Sequence, residues 1–414
     1  MSTKYIITSI NSNTVCAQIE NNCCNYLKVL DSSSILGNIY TGKVENVVKN
    51  INAAFVEIQP GVKCYYPLED NDKSIFLNRK NTSKVNIGDR ILVQISCDAQ
   101  KTKPATATSK VSIAGDYLVL SSDVKGVVIS KKINSSEQAV KTGNSLTYFL
   151  KQKLNELSDD FKLDVSEYNY DFGFILRTNA SKATTEDVLK EADKLSAEYL
   201  NILKKAFYGT FYQQLYTSAP EYISDIEHMS SDEDFEIVTD LKEHYDLIKS
   251  TIHSLDDSKI RFYDDADYSL PKLYSLEDTI NEALREKVWL KSGGYIIIQQ
   301  TEAMTVIDVN SGKQTDKSKN EQKRQQSILK TNFEAAKEIS RQLRLRNLSG
   351  IIIVDFINMK NNGDINELFS YIRQLSSDDK ITTTAVDITR LGLVEMTRRK
   401  TGKSLKEVLK LDKI

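Results

Sequence analysis

Thr305-Val-Ile-Asp-Val-Asn310 and Ile351-Ile-Ile-Val-Asp-Phe356 are short apolar segments that each carry an aspartate near the end. A carboxylate at the end of a buried strand is costly to desolvate unless it is hydrogen-bonded or holds a cation. Two such carboxylates that lie together repel each other unless a metal ion or a proton lies between them. We therefore interpret Asp308 and Asp355 as a pair that shares a divalent ion.

The interval between the two aspartates is long enough for a loop, a long helix and a return strand. Apolar residues recur at helical spacing over residues 328–348, at Ile328, Ala335, Ile339 and Leu343. A strand-helix-strand crossover makes the two strands parallel neighbours, whose carboxyl-terminal ends open at one edge of a sheet. We therefore expect Asp308 and Asp355 to meet in the folded chain.

Asn310 lies two residues beyond Asp308, and in an extended strand the two side chains face the same side, where Asn310 can orient the carboxylate. No histidine or cysteine lies near either aspartate in the sequence, so oxygen ligands, and hence Mg²⁺ or Mn²⁺, are favoured over zinc. A magnesium ion held by two carboxylates, with sites left for water and phosphate, is typical of a phosphate-ester hydrolase. The structural alternative, in which Asp308 caps a turn and Asp355 only ends a strand, stays equally open.

The length and charge of the chain limit the classes of protein to consider. At 414 residues the chain is too long for one ordinary core, so roughly two to four domains are expected. Lys and Arg total 55 against 57 for Asp and Glu, so net charge gives no argument for nucleic-acid binding, and a polyanion would have to bind at local basic patches. Neither a signal peptide nor a membrane span is recognisable, which predicts a soluble cytoplasmic protein with no membrane partner.

The cysteines argue against both a disulfide framework and a zinc site. The chain has five, an odd number, and none forms a C-x-x-C pair. We predict that they are buried free thiols.

The N-terminal quarter has the texture of short strands. Residues 5–10, 14–19 and 26–30 predict a three-stranded meander, and the glycine turns and aromatic residues that follow predict a five-stranded OB barrel. In such a barrel Tyr40, Phe55 and Tyr65 can stack on bases, while Lys43 and Lys63 contact phosphate. The alternative, that Phe55 is a core residue and the tyrosines are ordinary strand residues, is equally open.

Residues 116–225 have a mixed α/β pattern. Helices are predicted over 137–157 and 185–208, on either side of an extended segment at 171–178. Arg177, the Thr178 hydroxyl and the nearby helix start suit a terminal phosphate. A surface salt bridge of Arg177 is the simpler alternative. An acidic connector, a strand at 259–263 and a helix at 276–288 follow.

Three blocks of sequence, residues 293–312, 330–359 and 391–399, closely resemble the catalytic domain of the ribonuclease E/G family, and weaker similarity covers nearly the whole chain. The resemblance implies a Mg²⁺-dependent endoribonuclease, with Mn²⁺ as the alternative ion. Such an enzyme cuts single-stranded, often A/U-rich RNA in rRNA processing and mRNA turnover and leaves 5′-phosphate ends.

The resemblance also implies an α+β multidomain fold with defined boundaries. The expected parts are a split RNase H-like domain (1–35 and 226–283), an inserted OB-fold RNA-binding domain (36–115), a 5′-phosphate sensor domain (116–225), a DNase I-like α/β catalytic domain (284–405) and a C-terminal tail (406–414).

Individual residues match the motifs of the family. The resemblance assigns Asp308 and Asp355 to metal binding, Asn310 to orientation of the first aspartate, Arg177 and Thr178 to the 5′-monophosphate, and Phe55 and Tyr65, the latter in place of Phe, to RNA contacts of the OB domain.

The sequence departs from the family pattern at several places. The C-P-x-C motif that links two protomers through zinc is missing from residues 404–414, so no zinc is expected and a homodimer would form without that bridge. Asn358 replaces an aspartate, which removes one negative charge from the edge of the site. Val127-Val128 and residues 103–106 replace glycine-containing stretches of the sensor and OB domains.

Two other classes of function compete with the nuclease. One is a non-catalytic single-stranded RNA-binding protein on the same scaffold, although pure binding does not need paired carboxylates that face a polyanion. The other is a phosphoesterase that acts on DNA or small phosphates, which the resemblance of the OB and sensor domains disfavours.

Overall fold

The computed structural model describes residues 3–81, 84–99, 103–131, 133–161, 165–229, 234–312 and 321–409. These residues form a mixed α+β structure with several separate sheets. They divide into two compact units, one within residues 1–32, 234–245 and 260–414 and the other within residues 33–233 and 246–259.

The strands of the described residues are, in chain order, β1 (Thr3–Ile10), β2 (Asn13–Glu20), β3 (Cys23–Val29), β4 (Ile39–Val48), β5 (Ala53–Gln59), β6 (Val62–Pro67), β7 (Ile75–Phe76), β8 (Arg90–Cys97), β9 (Thr106–Thr108), β10 (Ser112–Ala114), β11 (Leu118–Ser121), β12 (Gly126–Ile129), β13 (Gly173–Leu176), β14 (Gln214–Tyr216), β15 (Phe235–Thr239), β16 (Ile260–Phe262), β17 (Lys287–Trp289), β18 (Tyr295–Gln300), β19 (Met304–Asn310), β20 (Gly350–Asp355), β21 (Thr383–Ile388) and β22 (Val394–Arg398). The α-helices are α1 (Glu137–Phe161), α2 (Thr185–Tyr208), α3 (Glu221–Met229), α4 (Lys242–Thr251), α5 (Leu270–Leu273), α6 (Leu276–Ala283), α7 (Glu321–Leu345), α8 (Asn362–Ser377) and α9 (Leu405–Val408).

The first sheet combines the N-terminal strands with strands from much later in the chain, in the order β16-β15-β1-β2-β3. The three predicted N-terminal strands are confirmed. Asn11 and Ser12, and likewise Asn21 and Asn22, have positive φ angles, as the two central residues of a tight hairpin turn require. β1 is antiparallel to β2 and parallel to β15, so this sheet is complete only when both parts of the chain are present.

The predicted five-stranded barrel is confirmed in the second unit. Strands β4, β5, β6, β9 and β8 follow one another in the sheet, and an additional pairing between β4 and β8 closes the ring. Buried side chains of β4, β5, β6 and β8 fill the interior, among them Tyr40, Val56, Tyr66 and Val93. The barrel is consistent with an OB fold.

The same unit contains a four-stranded sheet in the order β10-β11-β13-β12, packed against α1 and α2. The helices predicted over 137–157 and 185–208 are confirmed. α2 begins where the Thr184 side chain accepts a hydrogen bond from the Asp187 N–H, the usual role of threonine before a helix.

The sheet that carries Asp308 and Asp355 has the order β17-β18-β19-β20-β22-β21. β19 and β20 are parallel and α7 connects them, as the crossover predicts. Buried apolar residues of α7 and α8 cover one face of this sheet, among them Ala335, Ile339, Leu343, Leu368 and Ile372. The other face of β19 and β20 carries the more exposed residues.

One prediction of a helix is partly wrong. The helix expected over 276–288 ends at Ala283, and Val288 lies in β17. Val288 packs against the core of the six-stranded sheet, while Lys287 and Trp289 on either side are exposed. This alternation is the period of a strand, so pairing with β18 prevails over the helical pattern upstream.

The basic end of α7 has a structural role. The Arg341 Nε donates to the Cys24 carbonyl oxygen at 2.8 Å, and the Arg344 Nε donates to the Asn25 carbonyl oxygen at 3.2 Å. These arginines therefore link α7 to β3, and both residues are partly buried.

Candidate active site

Asp308 and Asp355 lie directly beside each other in the structure. They are partners in the parallel register of β19 and β20, whose neighbouring strands lie about 4.8 Å apart. Ile307 and Val309 point into the core beneath α7, so Asp308 faces the open side of the sheet. Asp308 is half-buried and Asp355 is exposed. The crossover thus brings the predicted pair together on an accessible surface.

Asn310 contacts Asp308 as the spacing predicts. Its Nδ2 donates a hydrogen bond to Asp308 Oδ2 at 2.6 Å. A donor at this distance restricts the rotation of the carboxylate and occupies one of its two oxygens with a hydrogen bond.

A buried asparagine of α7 fixes the segment that follows Asp355. Asn332 is 0% exposed, and its Nδ2 donates to the Ile357 carbonyl oxygen at 2.8 Å. The Ile357 N–H donates back to Asn332 Oδ1 at 3.1 Å. The sequence motifs do not include Asn332, yet it carries a signal of its own: it is a polar residue on the apolar stripe of the helix, one turn after Ile328.

A glycine turn packs closely against the end of β19. A Cβ atom on Gly294 would lie 2.7 Å from the Asn310 carbonyl oxygen, so a side chain cannot fit there without a shift. Gly312 has φ +63°, a conformation that glycine adopts without strain. The Glu334 carboxylate of α7 accepts the Ser292 N–H, with 3.2 Å to each oxygen. The backbone on both sides of Asn310 is therefore held by close packing.

Asn358 lies at the edge of the site. It is exposed, and its Oδ1 is 3.8 Å from the position that a Cβ on Gly392 would take. The loop after β20 therefore runs beside the turn between β21 and β22.

The chemistry of these donors suits Mg²⁺ or Mn²⁺. Asp308 and Asp355 supply two carboxylates, and the described part of the chain holds no group of three or more His, Cys, Asp or Glu side chains arranged for a metal. A structural zinc site needs about four protein ligands. Mg²⁺, in contrast, is usually bound by one or two carboxylates and keeps water and substrate phosphate as its other ligands. Two accessible carboxylates in register, one half-buried and one exposed, fit the second pattern.

Arg177 forms a salt bridge in this structure. Its Nη1 lies 2.8 Å from the Glu227 Oε2 and donates to the Gly115 carbonyl oxygen at 2.5 Å. Glu227 is only 6% exposed, so this is a largely buried pair. Thr178 is exposed, and its Oγ1 lies 3.3 Å from the Ser130 Oγ. Arg177 thus forms a salt bridge, although it is largely buried and not on the surface as the alternative expected. Binding of a 5′-phosphate stays a prediction.

The backbone that holds Arg177 is itself anchored by a carboxylate. Glu191 of α2 accepts the backbone N–H groups of Asp116, Tyr117 and Leu118 at 2.7, 2.8 and 2.8 Å. Burial raises the pKa of Glu191, although these three donors act in the opposite direction. The carbonyl group of Gly115 is thereby fixed beside Arg177.

Phe55 and Tyr65 lie on the outer face of the barrel. They are directly opposite in β5 and β6, and their rings meet edge to face with centroids 6.4 Å apart. Their neighbours Ala54, Val56, Cys64 and Tyr66 fill the interior, so both rings remain half-buried outside it. The alternative that Phe55 is a core residue is therefore wrong. Tyr40, in contrast, is 1% exposed inside the barrel, so the prediction that it stacks on bases is wrong.

Lysines flank these rings. Lys43, Glu57 and Lys63 form one row across β4, β5 and β6, next to the row of Phe55 and Tyr65. Lys43 Nζ lies 2.7 Å from Glu45 Oε1, and this hydrogen bond raises the pKa of Lys43. Lys63 is exposed. The outer face therefore combines two aromatic rings with two cationic side chains.

Asp308, Asn310 and Asp355 thus form a cluster of oxygen-bearing side chains at the ends of two parallel strands. Residues 112–401 match the model of the Ribonuclease E/G family, and the chain belongs to this family. The resemblance seen in the sequence is thus confirmed.

Named relatives cover most of the chain. It is 32% identical to ribonuclease G of Salmonella typhimurium over 394 residues, which are 91% of this chain and 75% of the relative. Ribonuclease G of Escherichia coli is 31% identical with the same coverage. Ribonuclease E of Synechocystis is 30% identical over 92% of this chain but only 55% of the relative. The chain therefore spans three quarters of these ribonucleases G and about half of that ribonuclease E. Among the described helices, none is both long and apolar enough for a membrane span.

Proposed function

We propose that this chain is a divalent-metal-dependent endoribonuclease that cleaves single-stranded, A/U-rich RNA and leaves 5′-phosphate ends. The observation that carries the proposal is the in-register pair of Asp308 and Asp355 with Asn310 bonded to Asp308. The names of the relatives support the same class of activity. The family resemblance further favours a role in rRNA processing and mRNA turnover in the cytoplasm.

Each residue of the site has one task in this proposal. Asp308 and Asp355 hold Mg²⁺ or Mn²⁺, and Asn310 keeps the Asp308 carboxylate in position. The bound ion supplies positive charge that stabilises the charge developing on the phosphate. Asn332 keeps the backbone after Asp355 in place, so that the two carboxylates retain their spacing.

The second unit supplies RNA binding in the same proposal. Phe55 and Tyr65 stack on bases of the strand, and Lys43 contacts phosphate. Arg177 and Thr178 bind a 5′-monophosphate through the N–H groups of the guanidinium and the hydroxyl. Because the Arg177 Nη1 already bonds to Glu227, the phosphate competes with that carboxylate or uses the remaining donors.

The domain boundaries belong to the proposal as well. The sheet that joins β1–β3 to β15 and β16 supports a split RNase H-like domain at 1–35 and 226–283. The barrel supports an OB domain at 36–115, followed by a sensor domain at 116–225. The six-stranded sheet with α7 and α8 supports a DNase I-like domain at 284–405, with 406–414 as a tail. A homodimer is also part of the proposal, and the molar mass in solution tests it.

The decisive experiment is cleavage of a short A/U-rich RNA that carries a 5′-monophosphate or a 5′-hydroxyl, with Mg²⁺ or with EDTA. We compare wild type with Asp308→Asn and Asp355→Asn, and with Asp387→Asn as a matched control. Asp387 is an exposed aspartate of β21 in the same sheet. The proposal expects cutting that needs Mg²⁺, disappears in both site variants and survives in the control.

Binding of RNA without cutting, unchanged in Asp308→Asn, would overturn the catalytic proposal and leave a non-catalytic RNA-binding protein. Competition between RNA and DNA oligonucleotides separates a ribonuclease from a phosphoesterase that acts on DNA.

A further inference from the structure

An exposed aromatic pair lies on the same sheet as the paired aspartates. Trp289 of β17 is 64% exposed, and its ring meets that of Tyr295 in β18 at 5.4 Å between centroids and an angle of 66°. Trp289 is the only tryptophan of the chain. The two rings together form an aromatic surface at the edge of the sheet, outside the hydrophobic core.

Lys287 contacts both rings. Its Nζ lies 4.0 Å from the centroid of Trp289 and 3.7 Å from that of Tyr295, within the range of cation-π attraction. Within the described ranges, no carboxylate forms an ion pair with Lys287. The ammonium group therefore lies against both rings, and none of the described carboxylates pairs with it.

The strand register places this group beside the candidate active site. Lys287 pairs with Ile297, Ile297 with Asp308, and Asp308 with Asp355, so these four residues form one row across the sheet. In the next row, Trp289 pairs with Tyr295 and Tyr295 pairs with Asn310.

The aromatic pair and the aspartates share one face of the sheet. Val288 and Ile296 belong to the core on the helix-covered side, so Lys287, Trp289 and Tyr295 point to the opposite, open side, as Asp308 does. Two strand spacings separate β17 from β19, which is about 10 Å. This is within the reach of one or two nucleotides of an extended strand.

We propose that Trp289 and Tyr295, ordered by Lys287, form a stacking subsite for one nucleobase of the RNA strand whose phosphate lies at the Asp308–Asp355 pair. The inference rests on the proposed function and adds a binding site to it. A base fits because each base offers a flat π-face to an aromatic ring, and the adjacent ammonium attracts the phosphate of the same nucleotide. A purely apolar protein partner fits less well, because the charge of Lys287 borders the rings and Asp308 and Asp355 lie on the same face of the sheet.

The single tryptophan provides a direct probe of this subsite. In EDTA, where the metal-dependent reaction is stopped, wild-type protein is titrated with a short single-stranded RNA and its tryptophan fluorescence is recorded. The proposal expects saturable quenching by this RNA, and none by a sugar-phosphate strand of equal length without bases. Fluorescence that stays constant while the anisotropy of a labelled RNA shows saturated binding would overturn the subsite.

Variants test whether the stacking contributes to cleavage. Trp289→Ala is expected to lower kcat/KM on the same RNA by about 5- to 100-fold, the range for loss of one stacked base, while Trp289→Phe retains most of it. Tyr268→Ala is the matched control, since Tyr268 is a tyrosine of the same compact unit that is 50% exposed. Because Trp289 is exposed, the Trp289→Ala variant is expected to fold like wild type, and circular dichroism tests whether it does.

The outcomes separate this inference from the proposed function. If Trp289→Ala cleaves like wild type while Asp308→Asn is inactive, the stacking subsite is wrong and the nuclease stands. If wild type itself does not cleave, the proposed function fails, and the fluorescence titration still decides whether a base stacks on Trp289.

Discussion

The Asn310 side chain donates one hydrogen bond to Asp308, with 2.6 Å between Nδ2 and Oδ2, and the two residues lie on the same strand next to Asp355. This bond holds the Asp308 carboxylate in one orientation when no ligand is bound. Residues that orient a metal-binding carboxylate in this way typically contribute a factor of 10 to 100 in metal affinity or activity.

Asn310→Ala is therefore expected to raise the Mg²⁺ concentration for half-maximal cleavage by about 10- to 100-fold, because the Asp308 carboxylate loses its fixed orientation. Rates measured over a Mg²⁺ titration test this. Gln299→Ala, on the exposed end of β18, is the control and is expected to change nothing. An unchanged Mg²⁺ dependence in Asn310→Ala would contradict the role assigned to Asn310.

Asn332→Ala is expected to lower both stability and activity. The change leaves the N–H and the carbonyl group of Ile357 without their partner, which costs on the order of 1–3 kcal/mol in the free energy of unfolding. Urea unfolding measures the loss. Gln325→Ala removes an exposed bond to the Lys360 N–H and is expected to cost much less. Equal costs of the two substitutions would rule out a special role for Asn332.

Phe55→Ala and Tyr65→Ala are each expected to weaken binding of single-stranded RNA by about 1–3 kcal/mol, the loss of one stacked base. Binding is measured by anisotropy at a fixed salt concentration, since phosphate contacts depend on salt. Val62→Ala, a change at an exposed aliphatic residue of β6, is the control. If all three variants bind alike, the outer face of the barrel does not hold bases.

Arg177→Lys tests the 5′-end contact without breaking the salt bridge. Lysine retains a positive charge beside Glu227 but lacks the planar fork of N–H donors. We expect the preference for a 5′-monophosphate over a 5′-hydroxyl to fall towards unity while the fold is kept. Lys125→Ala, at an exposed lysine near β12, serves for comparison. A preference that survives in Arg177→Lys would place the 5′-end contact elsewhere.

The thiols are expected to react in two classes. Burial raises the pKa of Cys24 to about 12 and that of Cys64 to about 11, so neither forms thiolate at pH 8. A thiol reagent at pH 8 should therefore label exposed Cys23 in the native protein, and buried Cys16, Cys24 and Cys64 only after denaturation. Rapid labelling of Cys24 in the native state would contradict the structure. The prediction that all five thiols are buried is wrong for Cys23, which is exposed, and for Cys97, which is only partly buried.

Local patterns predicted the parts of the fold that depend on short-range physics. The apolar period between Asp308 and Asp355 indicates the crossover, and asparagines at hairpin turns indicate the meander. The partner of Arg177 could not be predicted in this way, since Glu227 is distant in the sequence and only tertiary packing brings it close. The inward orientation of Tyr40 was likewise hidden, because consecutive residues of β4 are buried and no alternation distinguishes the two faces.

The parallel pairing of β1 with β15 has a consequence for folding during synthesis. Thr3 pairs with Phe235, so β1 cannot pair with β15 until roughly 230 more residues have been synthesised. At typical rates of translation this takes roughly 10 to 50 s. The barrel and its neighbouring sheet draw all their strands from that interval and can fold meanwhile. Strands β1–β3 therefore leave the ribosome long before β15 can complete their sheet, and a chaperone that covers the β1–β3 hairpins would act in that interval.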